Sequence, residues 1–177
     1  MSAINLAAIA MYAATAFACA LALRACRTSY ARGGPERTWT AGMAVMIALA
    51  IARLYGLEDA LRGGLRNLAR SSDQYAGRAA LQYPLLALVL AAAAGLCWLA
   101  WRQWRGLPRS GSRRAELLAR LALAGFALIY AVRIVSLHAV DALLYSGPLR
   151  LNYVIEAGLC AVLAASAVLF DRRRKRR

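Results

Sequence analysis

Long hydrophobic runs separated by polar connections dominate the pattern of the chain. The five runs cover residues 6–23, 39–57, 79–101, 121–140 and 151–170. A helix needs about 20 predominantly apolar residues to cross the roughly 30 Å of hydrocarbon in a bilayer, and each run approaches that length. The pattern therefore predicts an all-α protein, a polytopic transmembrane helix bundle of about five helices in which residues 1–177 form a single membrane domain.

Two of the predicted helices contain an arginine, Arg53 in the second run and Arg133 in the fourth. An arginine at the centre of a membrane-spanning helix opposes insertion by about 2.5–3.5 kcal/mol. Both arginines lie towards one end of their run, where a long side chain can reach the headgroups. We therefore retain both helices in the predicted topology.

Positive charge is distributed unevenly over the polar connections. The first connection, the third connection and the C-terminal tail together carry sixteen Lys and Arg residues, whereas the second and fourth connections carry five. Membrane proteins keep an excess of Lys and Arg on the cytoplasmic side. This bias predicts a multi-pass protein of the cell inner membrane, with its N-terminus outside and its basic tail, residues 171–177, in the cytoplasm.

The composition favours a membrane protein over a nucleic-acid-binding one. Hydrophobic residues make up 62% of the chain and the mean hydropathy is +0.50, whereas soluble domains are about 45–50% apolar. A net charge of +15 would suit nucleic acid, but the cations lie between apolar runs rather than on one face of a soluble fold. We therefore expect membrane lipids as partners, with anionic lipid at the basic tail, and no nucleic acid.

The four cysteines form no C-x-x-C pair, and most of them fall inside the apolar runs. A thiol relay would need paired cysteines near the outer face. We therefore interpret the cysteines as small packing residues. They are Cys19, Cys26, Cys97 and Cys160.

The outer connection over residues 58–78 begins with an amphipathic pattern. Leucines recur at helical spacing from Leu57 to Leu68, beside three arginines that are four residues apart. The pattern is typical of a short helix on the outer leaflet or of a second helix that continues out of the bilayer.

A weak internal similarity relates helices two and three to helices four and five. Arg53 is followed by Leu57 and then by Asp-Ala-Leu, and Arg133 is followed by Leu137 and, two residues later in register, by the same three residue types. The similarity indicates either a parallel repeat or chance matching in a chain rich in Ala and Leu.

Polar side chains that are costly in lipid gather at one predicted depth, the outer half of helices two, four and five. The inner halves of the same helices are expected to be Ala, Leu, Val and Met. Ionisable groups at such a depth are functional candidates because an unpaired charge in lipid is costly. The predicted ligand-binding residues are Arg53, Glu58, Asp59, Arg133, His138, Asp141, Asn152 and Glu156.

These polar residues allow two interpretations. In the first, Arg53 and Arg133, with Glu156 as partner, form a pocket that opens outward and holds a lipid phosphate or a small carboxylate. In the second, each arginine reaches the headgroups or pairs with Glu156 or Asp59, and so only fastens helices together.

Metal chemistry has weak support. His138 and Asp141 are three residues apart on one predicted helix and could ligate a metal together with Glu58 or Asp59. One histidine with carboxylates is a poor metal pattern, so we prefer a hydrogen-bonded interfacial histidine and predict no metal and no cofactor. A single histidine also excludes a bis-histidine haem within one subunit.

Motifs of nucleophilic catalysis are absent from the sequence, which has no G-x-S-x-G and no S-x-x-K. We therefore assign no catalytic residue. A membrane enzyme that uses Glu58, Asp59, His138 and Asp141 as acid and base stays open as an alternative.

The preferred hypothesis is a small non-enzymatic membrane protein with an outward-facing polar pocket for an anionic ligand or lipid headgroup, in transport or as a channel-like protein. The chain is too short for two transporter-sized halves, so this role would require a homo-oligomer. The other hypothesis besides an enzyme is an accessory or assembly subunit of a larger membrane complex. Helix one is nearly devoid of chemical groups, and its small residues are expected to serve either close helix packing or self-association.

Overall fold

The computed structural model describes residues 3–28, 34–57, 60, 63–64, 78–106, 111–135 and 151–175. Five long helices account for nearly all of these residues, and the predicted all-helical character is confirmed for them. The helices are α1 (Ala3–Thr28), α2 (Gly34–Leu54), α3 (Arg78–Gly106), α4 (Gly111–Val135) and α5 (Leu151–Lys175).

Three helical segments of the described part are long and apolar enough to cross a membrane. They are Ile4–Arg27 in α1, Pro35–Leu54 in α2 and Asn152–Arg173 in α5. This finding supports the predicted membrane protein. The two other helices, α3 and α4, have 29 and 25 residues, and at about 1.5 Å per residue both are longer than the roughly 30 Å of bilayer hydrocarbon.

The fourth helix begins ten residues earlier than its apolar run. The run starts at residue 121, whereas α4 starts at Gly111 and includes the polar segment 111–120. That segment is rich in Ala, Leu, Glu and Arg, which are strong helix formers, so the helix continues after the hydrophobic pattern has ended. The run was predicted to extend to residue 140, and residues 136–140 lie outside the described part.

The second helix ends at Leu54, earlier than the predicted boundary at residue 57. Gly56 follows with a φ of 63°, a left-handed conformation that glycine adopts without steric cost. Its N–H donates a hydrogen bond to the Arg53 carbonyl oxygen at 3.4 Å, as in helix C-caps that end on glycine. This cap leaves Arg53 in the last turn of α2, where the helix dipole favours a cation.

Contacts between helix ends show how the helices alternate in direction. Arg27, at the end of α1, pairs with Glu36 at the start of α2, and Trp39 in α2 packs against Phe170 near the end of α5. The Arg114 guanidinium, near the start of α4, lies over the ring of Trp104 at the end of α3. One end of the molecule therefore holds the ends of α1, α3 and α5 and the starts of α2 and α4, and we call it the basic end.

The buried core lies between α1, α2, α4 and α5. Its fully buried side chains include Cys19, Trp39, Phe126 and Leu163, whereas α3 packs on α4 and exposes most of its described side chains.

Glycines allow the helices of the core to approach closely. A Cβ atom at Gly42 would lie 3.1 Å from Cys19 Sγ, and one at Gly125 would lie 2.8 Å from Leu159 Cδ2. Small residues at helix contacts are the usual packing device of membrane proteins.

Candidate functional site

An ion pair between α2 and α5 lies at the end of the core opposite the basic end. The Arg53 Nη2 atom donates hydrogen bonds to Glu156 Oε2 at 3.0 Å and to Glu156 Oε1 at 3.4 Å. The Glu156 side chain is 1% exposed and that of Arg53 is 12% exposed. Two charges at such burial are stabilised only when they are paired and hydrogen-bonded, and this pair meets both conditions.

A tyrosine from α1 completes the contacts of the carboxylate. The fully buried Tyr12 hydroxyl donates a hydrogen bond to Glu156 Oε2 at 2.8 Å. Tyr130 of α4 is in turn hydrogen-bonded with Tyr12. Tyr12 on α1 and Arg53 on α2 therefore both donate to this α5 carboxylate, and Tyr130 brings α4 to the same group of side chains.

The start of α5 supplies two further groups. Asn152 is 1% exposed and precedes Glu156 by one helical turn, so the two side chains share a face of α5. Its Oδ1 atom has no hydrogen-bond partner among the described residues. The ring of Tyr153 lies 5.4 Å from the Arg53 guanidinium carbon, a cation–π contact that orients the guanidinium plane. We call Tyr12, Arg53, Tyr130, Asn152 and Glu156 the Glu156 cluster.

Burial and charge define what this cluster can do. The carboxylate is enclosed, the guanidinium is the less buried partner, and the pair is neutral as a whole. Low polarity around the pair strengthens its attraction and keeps the two charges from separating. The cluster is therefore a fixed polar centre in an apolar core, and its cation is the group that lies closer to the surface.

Three of the eight predicted ligand-binding residues lie in this region, namely Arg53, Asn152 and Glu156. Arg133 lies on α4, but its side chain is not among those described. The other four predicted residues lie outside the described residues, and they are Glu58, Asp59, His138 and Asp141.

The expectation that the first helix is nearly devoid of chemical groups is wrong for Tyr12. Tyr12 carries a phenol side chain within the Ala-rich sequence of α1, and a buried phenol hydroxyl needs a hydrogen-bond partner. Glu156 is such a partner, because it lies in another apolar helix. A tyrosine inside an otherwise apolar helix is the sequence feature that could have identified this contact.

The basic end holds a second polar group, formed by residues that lie just outside the predicted apolar runs. The Arg120 Nε atom donates to the Thr38 hydroxyl at 3.1 Å, and that hydroxyl lies 3.4 Å from Glu116 Oε1. Arg120 and Glu116 also pair along α4. The hydrophobic pattern missed this group because α4 begins before its apolar run.

The sequence predicts no metal site at His138 and the carboxylates expected near it. Within the described ranges, no three His, Cys, Asp or Glu side chains come together as metal ligands. The histidine and carboxylates that motivated the idea are outside those ranges.

Comparison with protein families, with characterised proteins and with solved structures finds no match for this chain.

Tyr12→Phe tests the contact between α1 and the carboxylate. The change removes the hydroxyl and keeps the ring, so we expect the free energy of unfolding in detergent to fall by about 1.5 kcal/mol, near the top of the range for hydrogen bonds between membrane helices because the acceptor is charged. Tyr55→Phe is the matched control, since Tyr55 is 73% exposed. Equal losses in the two variants would show that the Tyr12 hydroxyl does not stabilise the fold.

Proposed function

We propose that this chain is a small, non-enzymatic protein of the inner membrane that crosses the bilayer about five times and binds an anionic group from the outer side at Arg53. The anionic group is a lipid phosphate or a small carboxylate. The protein works in transport or as a channel-like assembly, in which copies of the chain form an oligomer.

The helix lengths and their alternation support five crossings. All five helices exceed the thickness of bilayer hydrocarbon, including α3 and α4, whose sequences contain long apolar runs. Alternating helices carry the basic connections to one end, and the positive-inside bias assigns that end to the cytoplasm. The Glu156 cluster then lies in the outer half of the membrane.

The observation that carries the anion site is the unequal burial of the ion pair. Glu156 is 1% exposed, whereas Arg53 is 12% exposed and held against the Tyr153 ring. A guanidinium has five N–H donors in one plane and can bind more than one acceptor. A second carboxylate or a phosphate can therefore bind Arg53 while Glu156 stays in place.

Asn152 indicates that the expected ligand also carries a hydrogen-bond donor. Its buried Oδ1 atom is an acceptor that no described residue satisfies, and buried acceptors are nearly always satisfied in folded proteins. A ligand with an O–H or N–H group beside its anionic group can donate to this atom. Phosphatidylglycerol headgroups and hydroxy carboxylates both have that combination.

Ligand-dependent thermal stabilisation of the detergent-purified chain tests this proposal. The probes are phosphatidylglycerol in mixed micelles and, separately, a small hydroxy carboxylate such as lactate. We expect one of them to raise the melting temperature of the wild-type chain. The melting temperature of Arg53→Gln should not change, because this variant lacks the charged guanidinium group that binds the anion. Glu156→Gln should bind more tightly than wild type, because Arg53 no longer shares its charge with an internal carboxylate.

Arg27→Gln provides the control. Arg27 also pairs with a glutamate, but its side chain is 68% exposed and lies at the basic end. Stabilisation should therefore persist in this variant. Equal stabilisation of Arg53→Gln and wild type would contradict binding at Arg53.

A second candidate function is an accessory or assembly subunit of a larger membrane complex. The observation that favours it is the enclosure of Glu156, which receives donors from α1 and α2 and thereby fastens three helices. In that role neither probe would stabilise the chain, and Glu156→Gln would change the set of proteins that co-purify from membranes. The membrane enzyme stays a prediction that depends on His138.

A further inference from the structure

Three sulfur atoms from three helices meet in the middle of the core, one to two helical turns from the Glu156 cluster. Cys19 on α1, Met46 on α2 and Cys160 on α5 are at most 1% exposed. Cys160 Sγ lies 4.0 Å from Met46 Sδ, and Cys19 Sγ lies beside Gly42 of α2.

Helix packing explains why the sulfurs converge. Gly42 precedes Met46 by one turn on α2, and a Cβ atom there would lie 3.1 Å from Cys19 Sγ. The same position would lie 3.8 Å from Leu163, one turn beyond Cys160 on α5. The absence of a side chain at Gly42 thus lets α1 and α5 approach α2 at the level of the sulfurs.

The 4.0 Å between the Cys160 and Met46 sulfurs suits two ligands of one three-coordinate metal ion, with Cys19 on the neighbouring helix as the third ligand. Metal–thiolate bonds are about 2.3 Å long, so three sulfurs in a plane around one ion are about 4.0 Å apart. Thiolate and thioether ligands in a dry pocket select soft ions such as Cu(I). Hard ions such as Mg²⁺ and Ca²⁺ prefer oxygen ligands.

We propose that Cys19, Met46 and Cys160 form a binding site for one soft monovalent metal ion, Cu(I), in the centre of the helical core. The thioether of Met46 supplies the third ligand, so the site needs only two cysteines. Each cysteine loses its thiol proton when the ion binds, and two protons are released to solution for each Cu(I) bound. No electron is transferred.

A hydroxyl group beside the sulfurs can stabilise the bound state. Thr15, one turn before Cys19 on α1, is buried and lies beside the Cys160 sulfur. The Thr15 hydroxyl group donates a hydrogen bond to the Met11 carbonyl oxygen, with 2.8 Å between the two oxygen atoms. The O–H bond can rotate towards a thiolate instead. Two thiolates and one Cu(I) leave a single negative charge, which this donor would help to hold in the apolar core.

Anaerobic titration of the full chain in detergent, with Cu(I) and a chromophoric Cu(I) chelator as competitor, tests the site. Wild type should bind one Cu(I) per chain, release two protons, and show three sulfur neighbours at about 2.3 Å by X-ray absorption. Cys19→Ala and Cys160→Ala should each weaken binding by more than about 100-fold, which exceeds the loss caused by removing an outer-shell partner. Cys97→Ala is the matched control, because Cys97 is exposed on α3 and should leave binding unchanged.

Met46→Leu tests the Cu(I) site independently if a cysteine variant does not fold. Leucine conserves volume and costs little stability, yet it removes the third ligand, so Cu(I) affinity should fall by about 10-fold or more. Wild-type affinity in Met46→Leu would overturn the site. So would loss of binding in Cys97→Ala, or no binding by the wild-type chain.

Discussion

Arg53→Ala is expected to lower the free energy of unfolding in detergent by about 3–5 kcal/mol, the loss that follows when one partner of a buried ion pair is removed. The variant leaves the Glu156 carboxylate enclosed at 1% exposure, with Tyr12 as its direct donor. The carboxylate must then take up a proton or draw water into the core, and either change destabilises the folded state. Denaturant titration followed by circular dichroism measures the effect.

The pair at the basic end is the control for this expectation. Arg27→Ala removes the same residue type from an ion pair with glutamate, but the arginine is 68% exposed. Exposed pairs contribute about 0–1 kcal/mol, so its loss should be small. If the two alanine variants lose equal stability, burial of the Arg53–Glu156 pair does not determine its effect.

The double variant Arg53→Met with Glu156→Met separates stability from function. Replacing both members of a buried pair by apolar residues of similar volume is often neutral or stabilising. We therefore expect most of the lost stability to return. A stable double variant that no longer responds to anionic lipid or carboxylate would show that the charges serve binding, whereas a stable variant with altered co-purifying proteins would favour the assembly subunit.

The sequence predicts the helices and part of the site because lipid imposes strong constraints on both. Apolar runs of sufficient length must be helical, since backbone groups in hydrocarbon need internal partners. The cost of an unpaired charge likewise makes Arg53 and Glu156 natural partners before any coordinates are known. Their contact at 3.0 Å agrees with that reasoning.

What the pattern does not predict depends on side chains that tolerate both lipid and water. Tyr12 reads as part of an apolar run because its ring is hydrophobic, and only its hydroxyl reveals a role. Glu116 and Arg120 read as part of a connection because polarity does not distinguish a helix in the headgroup layer from a loop. The cysteines read as packing residues, and their proximity depends on helix rotation, which hydropathy does not specify.

Trp39→Ala is expected to cost about 3–5 kcal/mol of unfolding free energy in detergent, as large aromatic truncations in a core do. Trp39 is fully buried at the start of α2, and its ring lies 5.2 Å from that of Phe170 on α5. A tryptophan at the first residue of an apolar run is also typical of an interfacial aromatic, for which we would expect a small loss. Trp98→Ala is the control, since Trp98 is 60% exposed on α3. A small loss in both variants would show that Trp39 anchors α2 in the headgroup layer and does not stabilise the contact between α2 and α5. A large loss in Trp39→Ala alone would show that part of the stability of the fold comes from the basic end, away from the Glu156 cluster.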